Sequence, residues 1–171
     1  MEVVFQFLTI ISNYSAAYVK SKITSIKFKV AAATFNACAI ISVGNGIESL
    51  PVFFTIIRNI TCLNKEKFKS NKPIYLVLLG YMCLGVYTFI STGSVMSLLP
   101  TIASLSASIV LWFANNKGMK IWLSVVETVW VVYYIYAKLY FSALNTTLQI
   151  IVALISLVRI IRDDRKQLSK V

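Results

Sequence analysis

The sequence predicts an all-α fold, a polytopic membrane helix bundle, and three observations lead to this prediction. Hydrophobic residues make up 58% of the 171 positions and charged residues only 13%, whereas soluble domains are about half apolar and a quarter charged. The apolar residues fall into long runs with short breaks between them. Lys and Arg concentrate in alternate breaks, as the positive-inside rule describes for multi-pass proteins. Lipid is therefore the expected solvent for most of the chain.

Seven apolar segments approach the length of a membrane span, which takes about 20 residues with about 17 as the lower bound. They cover residues 3–19, 28–43, 47–63, 74–92, 95–114, 119–137 and 139–161. The first three lie near the lower bound. Gly and Asn residues at 44–46 and 115–118 predict turns after the second and fifth segments. The sequence thus predicts seven transmembrane helices in a single transmembrane domain.

The basic residues orient these segments. With the N-terminus outside, Lys138 is the one residue among the 17 Lys and Arg that falls on the outer side. Arg58 and Arg159 end the third and seventh segments, where their side chains can snorkel to the head groups. The pattern predicts a bacterial inner (cytoplasmic) membrane protein with its C-terminus in the cytoplasm. Anionic lipid head groups at the cytoplasmic face are the partners expected for the basic loops.

A weak internal repeat relates residues 3–63 to residues 95–161. The stretches 9–12 and 55–58 resemble the stretches 101–104 and 156–159, and the matches occur in the same order. Both copies run from outside to inside. The repeat predicts two parallel three-helix units joined by a linker helix at 74–92. Residues 162–171 then form a basic cytoplasmic tail.

The chain also resembles the YgjV-type family of bacterial inner membrane proteins. The resemblance is carried by residues 98–102, by Met119-Lys120 followed by residues 130–132, and by residues 159–162. Residues 55–59 and the basic stretch after them match more loosely. The resemblance implies a multi-pass inner membrane protein. Its layout is similar to that of the SWEET, PQ-loop and nicotinamide riboside carriers.

Glu127 is the outstanding candidate for a functional residue. It follows Met119 by eight positions, which places it about 12 Å into the membrane at 1.5 Å per residue. A carboxylate at this depth is a functional hypothesis by default, because low dielectric disfavours the charged form unless a cation is near. The alternative is a structural role, in which Glu127 pairs with Arg58, Arg159 or a serine of the fifth segment.

Polar and aromatic residues at helical spacing on several segments predict the lining of a solute pocket. The candidate substrate-binding residues are Asn13, Asn36, Asn59, Glu127, Trp130, Tyr134, Asn145 and Gln149. The competing interpretation is that stripes of Ser, Thr and Ala serve helix packing. Trp130 and Tyr134 have a further alternative, since such residues also anchor helices at the membrane interface.

The leading functional hypothesis is a transporter or facilitator that moves a small polar solute between the two three-helix units. The rival is a non-transport scaffold or partner subunit that binds lipid or another protein. An enzyme is ranked last, and no catalytic residue is proposed, because the chain has no histidine and only one midplane carboxylate. The sequence leaves the solute and the oligomeric state open.

Composition also bears on other ligand classes. Cys38, Cys62 and Cys83 lack paired spacing, and the chain has no histidine, so neither a metal nor a cofactor is expected. The net charge of +11 raises nucleic acid as a partner. Because the basic residues lie in short gaps between apolar segments, lipid head groups are the preferred interpretation and nucleic acid is not expected.

Overall fold

The computed structural model describes residues 2–42 and 50–168. Within these ranges the chain forms seven α-helices and no strand, which confirms the all-α prediction. Short 3-10 turns precede α4 and α5. The helices α1 to α7 span Glu2–Tyr18, Lys22–Ser42, Leu50–Leu63, Lys72–Thr92, Leu99–Phe113, Asn116–Tyr136 and Tyr140–Leu168. The predicted turn at 44–46, the start of the third segment at 47–49 and the last three residues lie outside the described ranges.

Among the described helices, four have the length and apolar composition of membrane-crossing segments. They are Lys72–Thr92, Val95–Phe113, Asn116–Tyr136 and Tyr140–Lys166. The α1 helix has 17 residues and α3 has 14, while α2 carries three lysines in its first eight residues. The structure therefore supports a multi-pass membrane protein, and a count of seven spans stays a prediction.

Two helix boundaries differ from the prediction. The α2 helix begins at Lys22, six residues before the predicted segment, so Lys22 and Lys27 lie within a helix and not in a break. The α7 helix continues to Leu168, so most of the predicted tail is helical. Asp163 and Asp164 in these extra turns form ion pairs with Lys20 and Lys117. These contacts tie the end of α7 to the α1–α2 connection and to the first turn of α6.

The helices form a ring in chain order. Consecutive helices pack side by side, and α1 also packs against α7, which closes the ring. Small side chains dominate the buried positions of α1, α2 and α5 and let the helices approach closely. The outer surface is apolar, as on α4, where Leu76 and Ile90 are 70% and 76% exposed. Such a surface suits lipid contact.

Two lysines connect helices that are far apart in the chain, and each binds the C-terminal end of another helix. Lys120 of α6 donates to the carbonyl oxygens of Ala16 and Ala17 in the last turn of α1, at 2.9 and 2.6 Å. Lys22 of α2 donates to the carbonyl of Ala114, directly after α5, at 2.6 Å. Carbonyls at helix C-termini lack intrahelical partners and favour cations. Lys120 was counted with the basic residues at the cytoplasmic start of the sixth segment, but it is buried because α1 supplies these acceptors.

Candidate functional site: a polar cavity inside the helix ring

A cavity of about 560 Å³ lies inside the ring and is lined by residues of α1 to α6. It extends from Arg58 and Leu111, near the ends of α3 and α5, to Thr92 and Ser97, where α4 passes into α5. Its volume is within the range of about 300 to 1,000 Å³ that is typical of small-molecule sites. The ring thus leaves an open cavity with room for a solute and for water.

Most of the predicted site residues meet at this cavity. Six of them line it, namely Asn13, Asn36, Asn59, Glu127, Trp130 and Tyr134. Gln149 borders a second cavity of about 30 Å³, which has room for about two water molecules. Among the described residues, Asn145 borders neither cavity. The two candidate residues from α7 therefore do not join the main group, since among the described residues the lining of the main cavity comes from α1 to α6.

Glu127 pairs with Lys29 across the interior. Its Oε1 atom lies 3.6 Å from the Lys29 Nζ atom, and the two side chains are 24% and 20% exposed. Both residues line both cavities. The partner is therefore neither Arg58 nor Arg159, which the sequence suggested. Lys29 was missed because it was counted with the lysines of the preceding break, although it lies inside the predicted second segment. An apolar run directly after it was the signal that it belongs to a membrane helix.

Arg58 is buried at the cavity and does not extend to the head groups as predicted. It is 8% exposed, its neighbour Asn59 is 1% exposed, and both line the cavity. The Arg58 Nε atom donates to Asn59 Oδ1 at 3.1 Å. The Asn59 Nδ2 atom is buried without a hydrogen-bond partner. The physical reason for the difference is that α3 places Arg58 toward the ring interior, where Asn59 supplies an acceptor.

Aromatic side chains form another part of the lining. The Trp130 and Tyr134 rings stack with centroids 5.6 Å apart, and Tyr133 meets Trp130 edge-on at 6.0 Å. On α4, the Tyr81 hydroxyl lies 3.0 Å from Thr55 Oγ1. Aromatic faces with hydroxyl and amide groups between them can bind the apolar and polar parts of a small solute together.

The chemistry of the lining is that of binding. Amides, hydroxyls, one ion pair and one arginine can donate and accept hydrogen bonds or orient a charge. The described residues contain no group of three or more metal-ligating His, Cys, Asp or Glu side chains. What the arrangement offers is a chamber with a mixed apolar and polar lining within an apolar exterior.

Comparison with known proteins identifies the family. The sequence matches the Imp-YgjV family, described as bacterial inner membrane protein, over residues 4–164. No curated protein and no solved structure gives a significant match. The matched range includes residues from all seven helices and every described residue that lines the cavity. The chain therefore belongs to the Imp-YgjV family of bacterial inner membrane proteins.

Proposed function

We propose that this protein is a carrier or facilitator that moves a small polar solute through the cavity at the level of Glu127. The observation that supports the proposal is the cavity itself, with its volume of about 560 Å³ and its polar, charged and aromatic lining. An unfilled interior sacrifices packing free energy. A scaffold that acts only through its basic loops does not require an unfilled interior, whereas a carrier does.

The architecture that fits this function has seven crossings arranged as two parallel three-helix units with α4 between them. The reciprocal lysines support it, because α1 and α5 are corresponding helices of the two units, as are α2 and α6. Lys120 caps α1 and Lys22 caps α5. In a parallel repeat, a rotation about an axis along the membrane normal would exchange these two contacts.

The Lys29–Glu127 pair gives the two units a contact that a solute can alter. It joins α2 to α6 at the edge of the cavity. A polar solute that binds either side chain competes with the pair and changes the free energy that holds α2 against α6. Coupling of this kind is what links solute binding to a change between conformations.

The rival function, a scaffold that binds lipid or protein, is favoured by one observation. Lys65, Lys67 and Lys69 form an exposed basic segment between α3 and α4. Basic segments at a membrane surface attract anionic lipid. This function predicts binding at the loops and no movement of solute.

Counterflow in proteoliposomes distinguishes the two functions. Vesicles are preloaded with unlabelled amino acids, sugars, nucleosides and carboxylic acids, and entry of each labelled tracer is compared with protein-free vesicles. A carrier accumulates at least one tracer. A scaffold accumulates none.

Labelling of the cavity provides a second measurement that does not require the solute. In a variant without native cysteines, Thr55→Cys is treated with an impermeant thiol reagent from each side of the membrane. A carrier exposes this lining residue to both sides, while the matched control Thr34→Cys, on an exposed face of α2 outside the cavity, stays unreactive in lipid. Reaction of Thr55→Cys from one side only, without counterflow, would contradict the proposal.

A further inference from the structure

At one end of the cavity, the Arg58 guanidinium and the Asn59 side-chain amide have hydrogen-bond donors without acceptors. Apart from the bond from Arg58 Nε to Asn59 Oδ1, none of the hydrogen bonds or ion pairs among the described residues engages the Arg58 guanidinium. The Asn59 Nδ2 atom has no acceptor either and belongs to a side chain that is 1% exposed. A buried charge without a counter-charge and a buried N–H without an acceptor both cost free energy. A ligand that supplies acceptors here would remove both costs.

The rest of the lining does not neutralise Arg58. Among the described residues, the charged side chains of the cavity are Lys29, Arg58 and Glu127. Glu127 pairs with Lys29 at 3.6 Å, so the positive charge of Arg58 is left over. The cavity therefore attracts negative charge at the Arg58 end, and the aromatic surface of Trp130 and Tyr134 is available for the remainder of a solute.

We propose that Arg58 and Asn59 bind an oxyanion group of the transported solute, so that the protein carries small organic anions. The inference rests on the proposed function and names its substrate class. A guanidinium presents planar donors that match both carboxylate and phosphate oxygens. The Asn59 amide adds a further donor beside it. Neutral sugars and organic cations lack the group that these donors require.

Binding of matched probes to the purified full-length protein tests the inference. The protein is placed in nanodiscs of zwitterionic lipid, and the affinities of benzoate, phenyl phosphate and neutral benzamide are measured by calorimetry. These probes share a ring and differ in the charged group. We expect at least one anion to bind about ten-fold or more tightly than benzamide, as charge-assisted hydrogen bonds imply.

Two variants locate the preference. Asn59→Asp keeps the size of the side chain and places a carboxylate beside Arg58, so it should remove the preference for anions while benzamide still binds. Arg58→Gln should have the same effect. The matched control Lys69→Gln removes a positive charge from the exposed segment between α3 and α4 and should keep the preference.

The outcomes separate the inference from the proposed function. Equal affinity for benzamide and both anions, or a preference that persists in Asn59→Asp, overturns the inference and leaves a carrier of neutral solutes intact. Absence of binding by all three probes also overturns the inference, and the counterflow and labelling experiments then decide the proposed function independently. Competition of anionic lipid in the nanodisc with benzoate would assign the donors to a head group and so overturn the assignment to a transported solute.

Discussion

At the scale of single residues, the cavity depends on how two charges are held away from lipid. A carboxylate exposed to lipid at the centre of a helix costs roughly 2.5 to 3.5 kcal/mol on insertion scales. Glu127 avoids this cost by facing the interior, where Lys29 lies 3.6 Å away. The two charges stabilise each other in a medium of lower dielectric than water. Removing one of them should therefore be worse than removing both.

A double-mutant cycle on this pair measures the effect. Glu127→Gln leaves Lys29 unpaired, Lys29→Met leaves Glu127 unpaired, and the double variant leaves neither charge. We expect the double variant to lose less stability than the sum of the losses in the two single variants. The difference, which is the coupling energy, should be roughly 0.5 to 3 kcal/mol. Thermal unfolding of the purified protein in detergent provides the measurement. Strict additivity would show that the pair contributes nothing.

Glu127 also carries the functional prediction at this scale. Glutamine keeps the shape of the side chain and removes its charge. If the solute competes for the Lys29–Glu127 pair, Glu127→Gln should insert and fold but lose counterflow, because the solute no longer meets the charged pair. Unchanged counterflow by this variant would assign Glu127 to a structural role.

The sequence predicts the depth of Glu127 but not its partner. Depth follows from counting residues along one helix, which needs only the rise per residue. The partner depends on which helices become neighbours, and Lys29 resembles a loop residue because Lys27 and the preceding lysines lie so close to it. The buried position of Arg58 was missed for a similar reason, since a cation near a helix end usually reaches the head groups.

At the scale of helices, polar side chains fix the ends of α1 and α5. Lys120 is 3% exposed and donates twice to the last turn of α1. Lys120→Met keeps the aliphatic length and removes both hydrogen bonds, so the Ala17 carbonyl loses its donor while the Ala16 carbonyl keeps the hydrogen bond from Ser25 Oγ. We expect a loss of about 1 to 3 kcal/mol in the free energy of unfolding. The control Lys117→Met removes an exposed ion pair with Asp164 and should cost less than about 1 kcal/mol. Similar losses in both variants would contradict a special role for Lys120.

Close packing between α4 and α5 leads to another prediction. A Cβ atom placed on Gly85 would lie 2.5 Å from Thr101 Cγ2 and 3.0 Å from Thr101 Oγ1. Gly85→Ala should therefore push Thr101, a lining residue, and destabilise the protein by about 1 to 3 kcal/mol. Adding Thr101→Ala removes both atoms and should restore part of the loss. Unfolding curves of the single and double variants test this, and no recovery in the double variant would mean that the strain lies elsewhere.

The order of the helices along the chain could be predicted from the sequence, whereas the start of α2 and the end of α7 could not. Long apolar runs mark α4 to α7 because lipid selects for them. The start of α2 was placed too late because its first turns contain lysines, whose stems lie along the helix while their amino groups reach acceptors such as the carbonyl of Ala114. The extra turns of α7 depend on ion pairs with Lys20 and Lys117, and such contacts between distant segments are not visible in local composition.

At the scale of the whole molecule, an apolar exterior surrounds a chamber that has polar groups among apolar ones. The exterior could be predicted, because composition alone identifies lipid as the solvent. The chamber could be predicted only as a stripe of polar residues, since its volume depends on how the helices tilt and separate. Asn145 illustrates the limit, because it shares helical spacing with Gln149 and yet borders neither cavity among the described residues.

The orientation of the whole molecule in the membrane is the remaining prediction. Exposed lysines cluster around the α3–α4 connection, and Asp163 and Asp164 of α7 bring Lys20 and Lys117 together. The rule that basic loops stay in the cytoplasm places this surface inside. The α4–α5 connection then lies outside. The expected arrangement has the N-terminus outside and the end of α7 inside.

Single cysteines introduced into a variant without native cysteines test this orientation in intact cells. An impermeant thiol reagent should label Ser94→Cys, between α4 and α5, and should fail to label Asn71→Cys, before α4. Asn71 is exposed and Ser94 is half-buried, so the reactivity of both cysteines is first measured with access from both sides. Permeabilised cells supply the control, because both cysteines should then react. Labelling of Asn71→Cys but not Ser94→Cys in intact cells would reverse the orientation. It would also place the Arg58 end of the cavity toward the outside, so the oxyanion group would be bound nearer the opposite membrane face.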